Sequence, residues 1–370
     1  MELFKNIKET ENQIAKADTL LKQGLLKEKI SLALKIPEEI CEIASARMRN
    51  EKTQKTSLKG LFMNLNDLRF ATNETAAKYR AKRLKCNTII EIGSGIGLQS
   101  IWLAKECKKV IAIEIDKRKH EYAIQNAKMQ GINNIEFINE DALKIKKLTK
   151  ADIVFCETER EAEEDERKIE KLKPDIKKII ETYGKITKDI CIEVPPQIKD
   201  IKLDCEKEYL SVNHELNRLN LYFGKLKKCE VSAVIAETGE RLENKSKEQL
   251  KESKPLKYIH EADKAVEKAG LKAEIQPRGI HAFKDFLTSE KPVKSPFIKS
   301  SFEILHRVIG FNDAIKALKK ENCGKAVLRY SISPDRYWKE RKKYEDELKG
   351  EETLYLFSSG KELLVCKKIS

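Results

Sequence analysis

The sequence predicts an α/β protein built on an open, doubly wound parallel sheet, with a helical region before it and an α+β module after it. Three observations carry this expectation. Between about residues 88 and 194 short apolar runs alternate with amphipathic stretches. A glycine-rich turn, Gly93-Ser94-Gly95-Ile96-Gly97, directly follows the first of those runs. Before residue 68 apolar positions recur at three and four residues, without strand alternation. A chain of 370 residues has room for two to three domains, drawn here at 1–68, 69–243 and 244–370.

The helical region contains the periodic run up to Ile36, then Pro37 as a helix-start residue with Glu38 and Glu39 in the first turn. Strands are expected at Thr88–Ile92, Val110–Ile115, Ile135–Ile138, Ala151–Cys156 and Asp189–Val194. Helices are expected at Gln99–Cys107 and Lys117–Gln130, with a charged helical tract from about Glu161 to Thr182. Tyr209–Val212 and Leu219–Phe223 would close the sheet as an antiparallel ribbon. Polar residues 244–255, ending at Pro255, read as a linker. Beyond it, helices are expected near Ala262–Ala269 and Phe311–Lys320, and strands at Ala326–Ile332, Thr353–Phe357 and Glu362–Lys367.

Composition narrows the function. With 40% apolar residues the chain can build cores. No stretch approaches the roughly 18 apolar residues of a membrane span, and the first residues lack a secretory h-region, so a cytoplasmic protein without a membrane partner is expected. Nine cysteines are scattered singly, and five histidines stand without metal spacing, which predicts neither disulfides nor a metal site. The net charge is +14, and residues 241–370 hold 29 basic against 20 acidic side chains. An excess placed there suits a polyanion such as RNA, or a well-solvated surface.

Gly93–Gly97 lies where a strand hands over to a helix, and glycines there let the backbone turn tightly and approach a ligand. Glu114, 21 residues beyond Gly93, is placed for ribose hydroxyls, and Asp141 follows the third strand on the adenine side. A nucleoside across the strand ends is thus either a nicotinamide cofactor or S-adenosylmethionine. The spacing G-x-G-x-G departs from the dinucleotide fingerprint, and Glu91, two residues before the first glycine, would repel a pyrophosphate while suiting a cationic methionine. The loop favours S-adenosylmethionine.

These residues resemble the class I, Rossmann-like methyltransferases, with Glu91–Gly97 as the first motif, Glu114 as the ribose acid and Asp141 as the adenine-side acid. The block from Leu68 to Arg80 is similar to that of the trimethylguanosine synthase branch and its relatives with a THUMP-like C-terminal domain. Within it, the resemblance implies that Phe70, Thr72 and Glu74 close over the cofactor. His260–Val266 and Thr288–Phe297 resemble the THUMP-like module. One block departs: amine-methylating relatives carry Asp/Asn-Pro-Pro-aromatic after the fourth strand, where this chain has Cys156-Glu157-Thr158-Glu159-Arg160-Glu161. Glu157 is the candidate catalytic residue there, as a hydrogen-bond acceptor or base.

Seven of the ten residues from 157 to 166 are acidic, which suits a helix first turn and repels phosphate. RNA contacts are sought instead in the last third, at Lys291, Lys294, Lys299 and Arg307, and among the interleaved aromatic and basic residues Arg336, Tyr337 and Arg341. The leading expectation is an S-adenosylmethionine-dependent methyltransferase acting on RNA. A catalytically degenerate RNA-binding protein, and a methyltransferase for a small molecule or protein, are the alternatives. Oligomeric state has no signature in the sequence.

Overall fold

The computed structural model describes residues 2–145, 150–159, 168–245, 249–275 and 279–369. It divides into two compact units, Met1–Val212 with Leu216–Val231 and Ala236–Gly239, and Asn213–Glu215 with Ser232–Ile235 and Glu240–Ser370. The helical residues 1–68 therefore belong to the same unit as the central sheet.

Three longer helices open the first unit: α1 (Ile7–Lys22), α2 (Lys27–Leu34) and α3 (Glu38–Thr53). Asn6 caps α1 by accepting the Glu9 N–H at 3.2 Å, and Pro37 immediately precedes α3. Their apolar faces bury Ile14, Ile30, Ile40 and Ile43 in one cluster with Phe62 and Tyr122. Two short helices, α4 (Leu65–Phe70) and α5 (Glu74–Arg83), lead into the sheet.

The sheet alternates β1 (Thr88–Ile92), α6 (Leu98–Glu106), β2 (Lys109–Ile113), α7 (Lys117–Met129), β3 (Ile135–Ile138), β4 (Ile153–Glu157), α8 (Ile176–Tyr183) and β5 (Ile190–Val194). β6 (Glu206–Val212) and β7 (Glu215–Tyr222) close it, in the order β3-β2-β1-β4-β5-β7-β6. The first five are parallel and β7 runs antiparallel to β5. Parallel strands are covered on both faces, hence their continuous apolar runs. Ile90, Ile92, Val154 and Ile192 pack on one face, and Ile89, Val110, Phe155 and Cys191 on the other. Between β1 and β4 the strand order reverses, the place where such folds bind ligands.

β8 (Val231–Ile235), which enters the second unit at Ser232, and β9 (Arg241–Glu243) pair as an antiparallel hairpin. A seven-stranded sheet follows, built from β10 (Tyr258–Ala262), β11 (His281–Phe283), β12 (Phe286–Ser289), β13 (Ile298–Ile309), β14 (Cys323–Leu328), β15 (Glu352–Ser359) and β16 (Glu362–Lys368). Its order is β11-β12-β10-β13-β16-β15-β14, with helices α9 (Lys264–Ala269), α10 (Gly310–Lys320) and α11 (Pro334–Glu345).

β1 and β3 match the sequence expectation residue for residue, whereas β4 is displaced so that Glu157 ends it. Residues 161–167 of the helical tract expected over 161–182 lie outside the described residues; within the rest α8 starts only at Ile176, where Asp175 caps it by accepting the Lys177 N–H at 2.9 Å. The expected linker is partly outside the described residues, and Lys251–Ser253 run beside β11, where Ser253 N–H donates to Ala282 O at 2.9 Å. The strand expected over Ala326–Ile332 ends at Leu328. Among the described residues no helix is long and apolar enough to cross a membrane.

Candidate cofactor and acceptor site

A cavity of about 370 Å³ opens at the carboxyl ends of β1, β4 and β5. Its wall brings together Phe70, Thr72, Gly93, Gly95 and Glu157, which the sequence singles out, and the Pro195-Pro196 turn that follows the fifth strand, with Glu193 and Arg218, which it does not single out. A wider hollow of about 680 Å³ lies elsewhere, lined by Glu38, Glu39, Glu42 and Glu121 with Lys117 and Arg118. The glycine loop takes no part in it, so the chemistry belongs to the smaller cavity.

The loop is held by sheet contacts and by its own dihedrals. Gly93 N–H donates to Ile113 O at 2.9 Å, which ties the loop to the end of β2. Gly93 has φ +76°, and an added Cβ would stand 2.9 Å from the Glu157 carbonyl oxygen, so a side chain is excluded twice over. Gly95 has φ +55° and open space where a Cβ would be, so the loop presents bare backbone to a ligand. Gly97 is the N-cap of α6. Ser94 lines the cavity, and its buried Oγ has no hydrogen-bond partner among the described residues.

Glu114 stands immediately after β2 and is almost wholly buried. Its two oxygens accept the Gly95 N–H at 2.7 Å and the Asp116 N–H at 2.8 Å. Asn139 donates to Glu114 O at 2.7 Å and so braces the exits of β2 and β3. Asp141 is not among the residues lining the cavity; its carboxylate accepts the Leu143 N–H at 3.0 Å and faces Lys144 at 3.2 Å.

Glu91 and Glu74 are placed differently from the sequence expectation. Glu91 is fully buried, accepts a hydrogen bond from Ser100 Oγ and does not line the cavity. Burial, with the carboxylates of Glu157 and Glu114, pushes its pKa up to about 8, so at neutral pH it is protonated and offers a cation no charge. Glu74 ties the chain to itself instead of facing the cavity. It accepts from the Ser57 backbone N–H, from Ser57 Oγ at 2.8 Å and from Thr56 Oγ1 at 3.1 Å, and pairs with Lys78 at 2.6 Å. Lys55 grips the other end of this segment, donating to Leu68 O and Arg69 O, each at 2.6 Å. Residues 55–57 thereby hold the Phe70–Thr72 wall from both sides.

The floor is a charge network. Glu157 and Glu193 are register partners on β4 and β5. Arg80, fully buried, donates to Glu193 and to Gln99 Oε1 at 2.8 Å, and lies 4.6 Å from the Phe155 ring centroid. Arg218 Nε stands 2.7 Å from Glu193. Glu157 accepts from Thr72 Oγ1 at 3.2 Å. Burial and the neighbouring Glu193 carboxylate push the Glu157 pKa up to about 7, against the pull of Arg80 and Arg218. Glu193 and Arg80 were legible in principle: each is a charge inside an otherwise apolar strand or small-residue helix face.

In the second unit the basic candidates separate. Lys291, Lys294 and Arg336 are exposed. Lys299 pairs with Glu215, and Arg307 donates to Pro255 O at 2.6 Å. Tyr337, with Tyr330 and Tyr344, packs into the core around α10 and α11. Trp338 is 69% exposed, and the Arg341 guanidinium lies 5.1 Å from its ring centroid while bonding Glu345 at 2.7 Å.

Residues 85–261 match a family described as a methyltransferase domain. This stretch, a little under half of the chain, is similar to methyltransferase domains. The chain resembles, at 18% identity and a TM-score of 0.73, the crystal structure of a methyltransferase from Porphyromonas gingivalis W83, over 90% of this chain and 92% of that one. Two relatives share shorter stretches. An uncharacterized RNA methyltransferase of Prochlorococcus marinus is 48% identical over 56 residues, 15% of this chain and 13% of its own. A protein named as a ribosomal RNA small subunit methyltransferase A, from Methanosphaera stadtmanae, is 47% identical over 58 residues, 16% of this chain and 21% of its own. The chain spans between 13% and 27% of the length of the first curated relatives it matches.

The residues around the glycine loop fit S-adenosylmethionine, the cofactor that the sequence resemblance implies. The open backbone at Gly95 and the Ser94 hydroxyl, which has no partner among the described residues, offer donors and an acceptor at the loop, and Glu114, buried behind it and not lining the cavity, holds the Gly95 N–H.

Proposed function

We propose that the chain is an S-adenosylmethionine-dependent methyltransferase acting on structured RNA. The observation that carries the reading is the shared cavity: the glycine loop and the Phe70–Thr72–Glu157 wall face one space, so donor and acceptor would meet there. S-adenosylmethionine supplies the methyl group when bound. Glu114 and the Gly93–Gly97 backbone hold the cofactor. Phe70 offers an exposed ring against which a planar acceptor stacks, with Pro195 and Pro196 as further apolar wall. Glu157 accepts a hydrogen bond from the acceptor or takes its proton, and the Thr72 bond keeps its carboxylate oriented. Positioning is the main contribution, because methyl transfer needs no covalent enzyme intermediate.

RNA is favoured by three things: the names of the partial relatives, the concentration of basic charge in residues 241–370, and exposed Trp338 among exposed lysines on α11. The same reading takes residues 244–370 as a THUMP-like module, relates the chain to the trimethylguanosine synthase branch and places the protein in the cytoplasm.

The test is transfer of labelled methyl groups to total RNA and, in parallel, to protein and small-molecule fractions. Label in RNA, lost with Glu114→Ala, is the expected result. Label only in protein or small molecules would replace the RNA reading with the alternative substrate classes. Cofactor binding without transfer to any fraction, together with salt-sensitive RNA binding, would favour the degenerate RNA-binding protein.

A further inference from the structure

Two cysteines meet at the end of β1 opposite the glycine loop. Cys86 Sγ lies 3.8 Å from Cys107 Sγ. Cys86 stands two residues before Thr88, and Cys107 two before Lys109, and Thr88 and Lys109 are register partners of β1 and β2. Lys109 N–H donates to Asn87 O at 2.8 Å, so the backbone holds the segments leading into β1 and β2 side by side. Neighbouring strands run about 4.8 Å apart, within the roughly 4.4–6.8 Å Cα separation that a disulfide spans. The sulfurs must close from 3.8 Å to about 2.05 Å, which side-chain rotation can supply without moving the strands. Cys86 is half-buried and reachable from solvent, whereas Cys107 is buried behind it.

We propose that Cys86 and Cys107 form an oxidative modification site, closing to an intramolecular disulfide under peroxide. Cys86, which solvent reaches but whose thiol the neighbouring Cys107 and burial hold above its ordinary pKa, attacks the peroxide O–O bond as the minor thiolate, taking one oxygen to become a sulfenic acid and releasing hydroxide. The Cys107 thiolate then attacks the sulfenic sulfur, forming the S–S bond and expelling the second hydroxide. With the two thiol protons, both hydroxides leave as water; the sulfurs lose two electrons and the peroxide gains them. The closed loop runs from 86 to 107 and contains β1, the glycine loop and the whole of α6. The bridge thus fastens the cofactor-binding segment without touching its cofactor contacts, and the buried partner protects Cys86 from further oxidation.

The test uses the reduced full-length protein, treated with equimolar hydrogen peroxide and digested without reductant for mass spectrometry. A cross-linked Cys86–Cys107 peptide, two hydrogens lighter than its parts, is expected. The thiols titrated under denaturant should fall from nine by two. The melting temperature should rise by about 5 °C and return on reduction, since closing this loop restrains the unfolded chain. Cys86→Ser, at a half-buried position, should abolish the cross-link and the shift, as should Cys107→Ser. Cys86 sulfinic acid beside an unmodified Cys107, a bridge only between two chains, or no cross-link would each overturn the proposal.

Discussion

Glu114→Gln is the most informative single change, because the exchange keeps shape and removes only charge and one acceptor. Both Glu114 oxygens already accept backbone N–H groups, from Gly95 at 2.7 Å and Asp116 at 2.8 Å. A glutamine has one oxygen, so in either flip its NH₂ faces one of those N–H donors and a buried donor loses its partner. A hydrogen bond to a charged group contributes about 1.5–3 kcal/mol, so the loss is about 2 kcal/mol. If it falls on Gly95, the loop spends correspondingly less time in its binding geometry, and cofactor affinity drops about 30-fold. Glu114→Ala loses both bonds and the ribose acceptor, and should weaken binding by at least about 100-fold. Calorimetric titration with S-adenosylmethionine measures both, with circular dichroism and thermal melts to show that each variant folds. A glutamine variant binding within about twofold of wild type would refute the reasoning, since the doubly accepting carboxylate would then be dispensable.

Four further outcomes follow from the same geometry. Gly93→Ala, forced to φ +76° with its Cβ 2.9 Å from Glu157 O, should cost about 2–4 kcal/mol in denaturant unfolding, and Gly95→Ala less because its Cβ meets nothing. Methyl transfer should rise with pH through about 7 as Glu157 ionises, and single-turnover profiles of Glu157→Gln should lose that step. Burial and Arg218 lower the Lys55 pKa to about 8 from 10.5, so this group's stabilising contribution is complete above 10.5 and is lost as pH falls to 8; melts should show wild type gaining on Lys55→Met as pH rises between those limits. Trp338→Ala should weaken RNA binding about tenfold in filter binding at fixed salt with an unchanged melting temperature, because the ring is 69% exposed.

The central sheet was legible because buried parallel strands are unbroken apolar runs, as in Thr88–Ile92 and Ile135–Ile138. The second unit was less so. β13 buries Ser300, Ser301 and Phe302 in succession and then leaves Glu303 to His306 half-buried, so it shows neither an apolar run nor a strict alternation. β10 ends where Asp263 caps α9, so the sequence shows a helix start and not the strand before it. At the site, local motifs led to the glycine loop and Glu114. Arg218 was invisible because its meaning lies in tertiary pairing: it meets Glu193 only when β5 and β7 become neighbours. The same folding removes candidates, since Tyr337 spends its ring in the core and Glu74 its carboxylate on Ser57.

The charges around the cavity bear on where a nucleic acid could be held. Glu193 is answered by Arg80 and Arg218, and Glu159 by Lys119 at 2.8 Å. Asp67, also on the wall, is held by Arg118 at 2.7 Å. Glu157 accepts instead from the neutral Thr72 hydroxyl, so its ionisation places a negative charge on the floor with no cation among the described residues bonded to it. Such a carboxylate favours the cationic sulfonium of the cofactor and disfavours a phosphate at short range. The cavity therefore suits a base presented without its backbone close by, and phosphate contacts must come from side chains outside it. Salt titration separates the two contributions. Removing exposed lysines such as Lys291 and Lys294 should reduce the slope of affinity against salt by about one per phosphate contact, whereas Phe70→Ala should lower affinity and leave the slope unchanged. An equal slope change from Phe70→Ala would mean that the cavity itself holds phosphate, contrary to the charge on its floor.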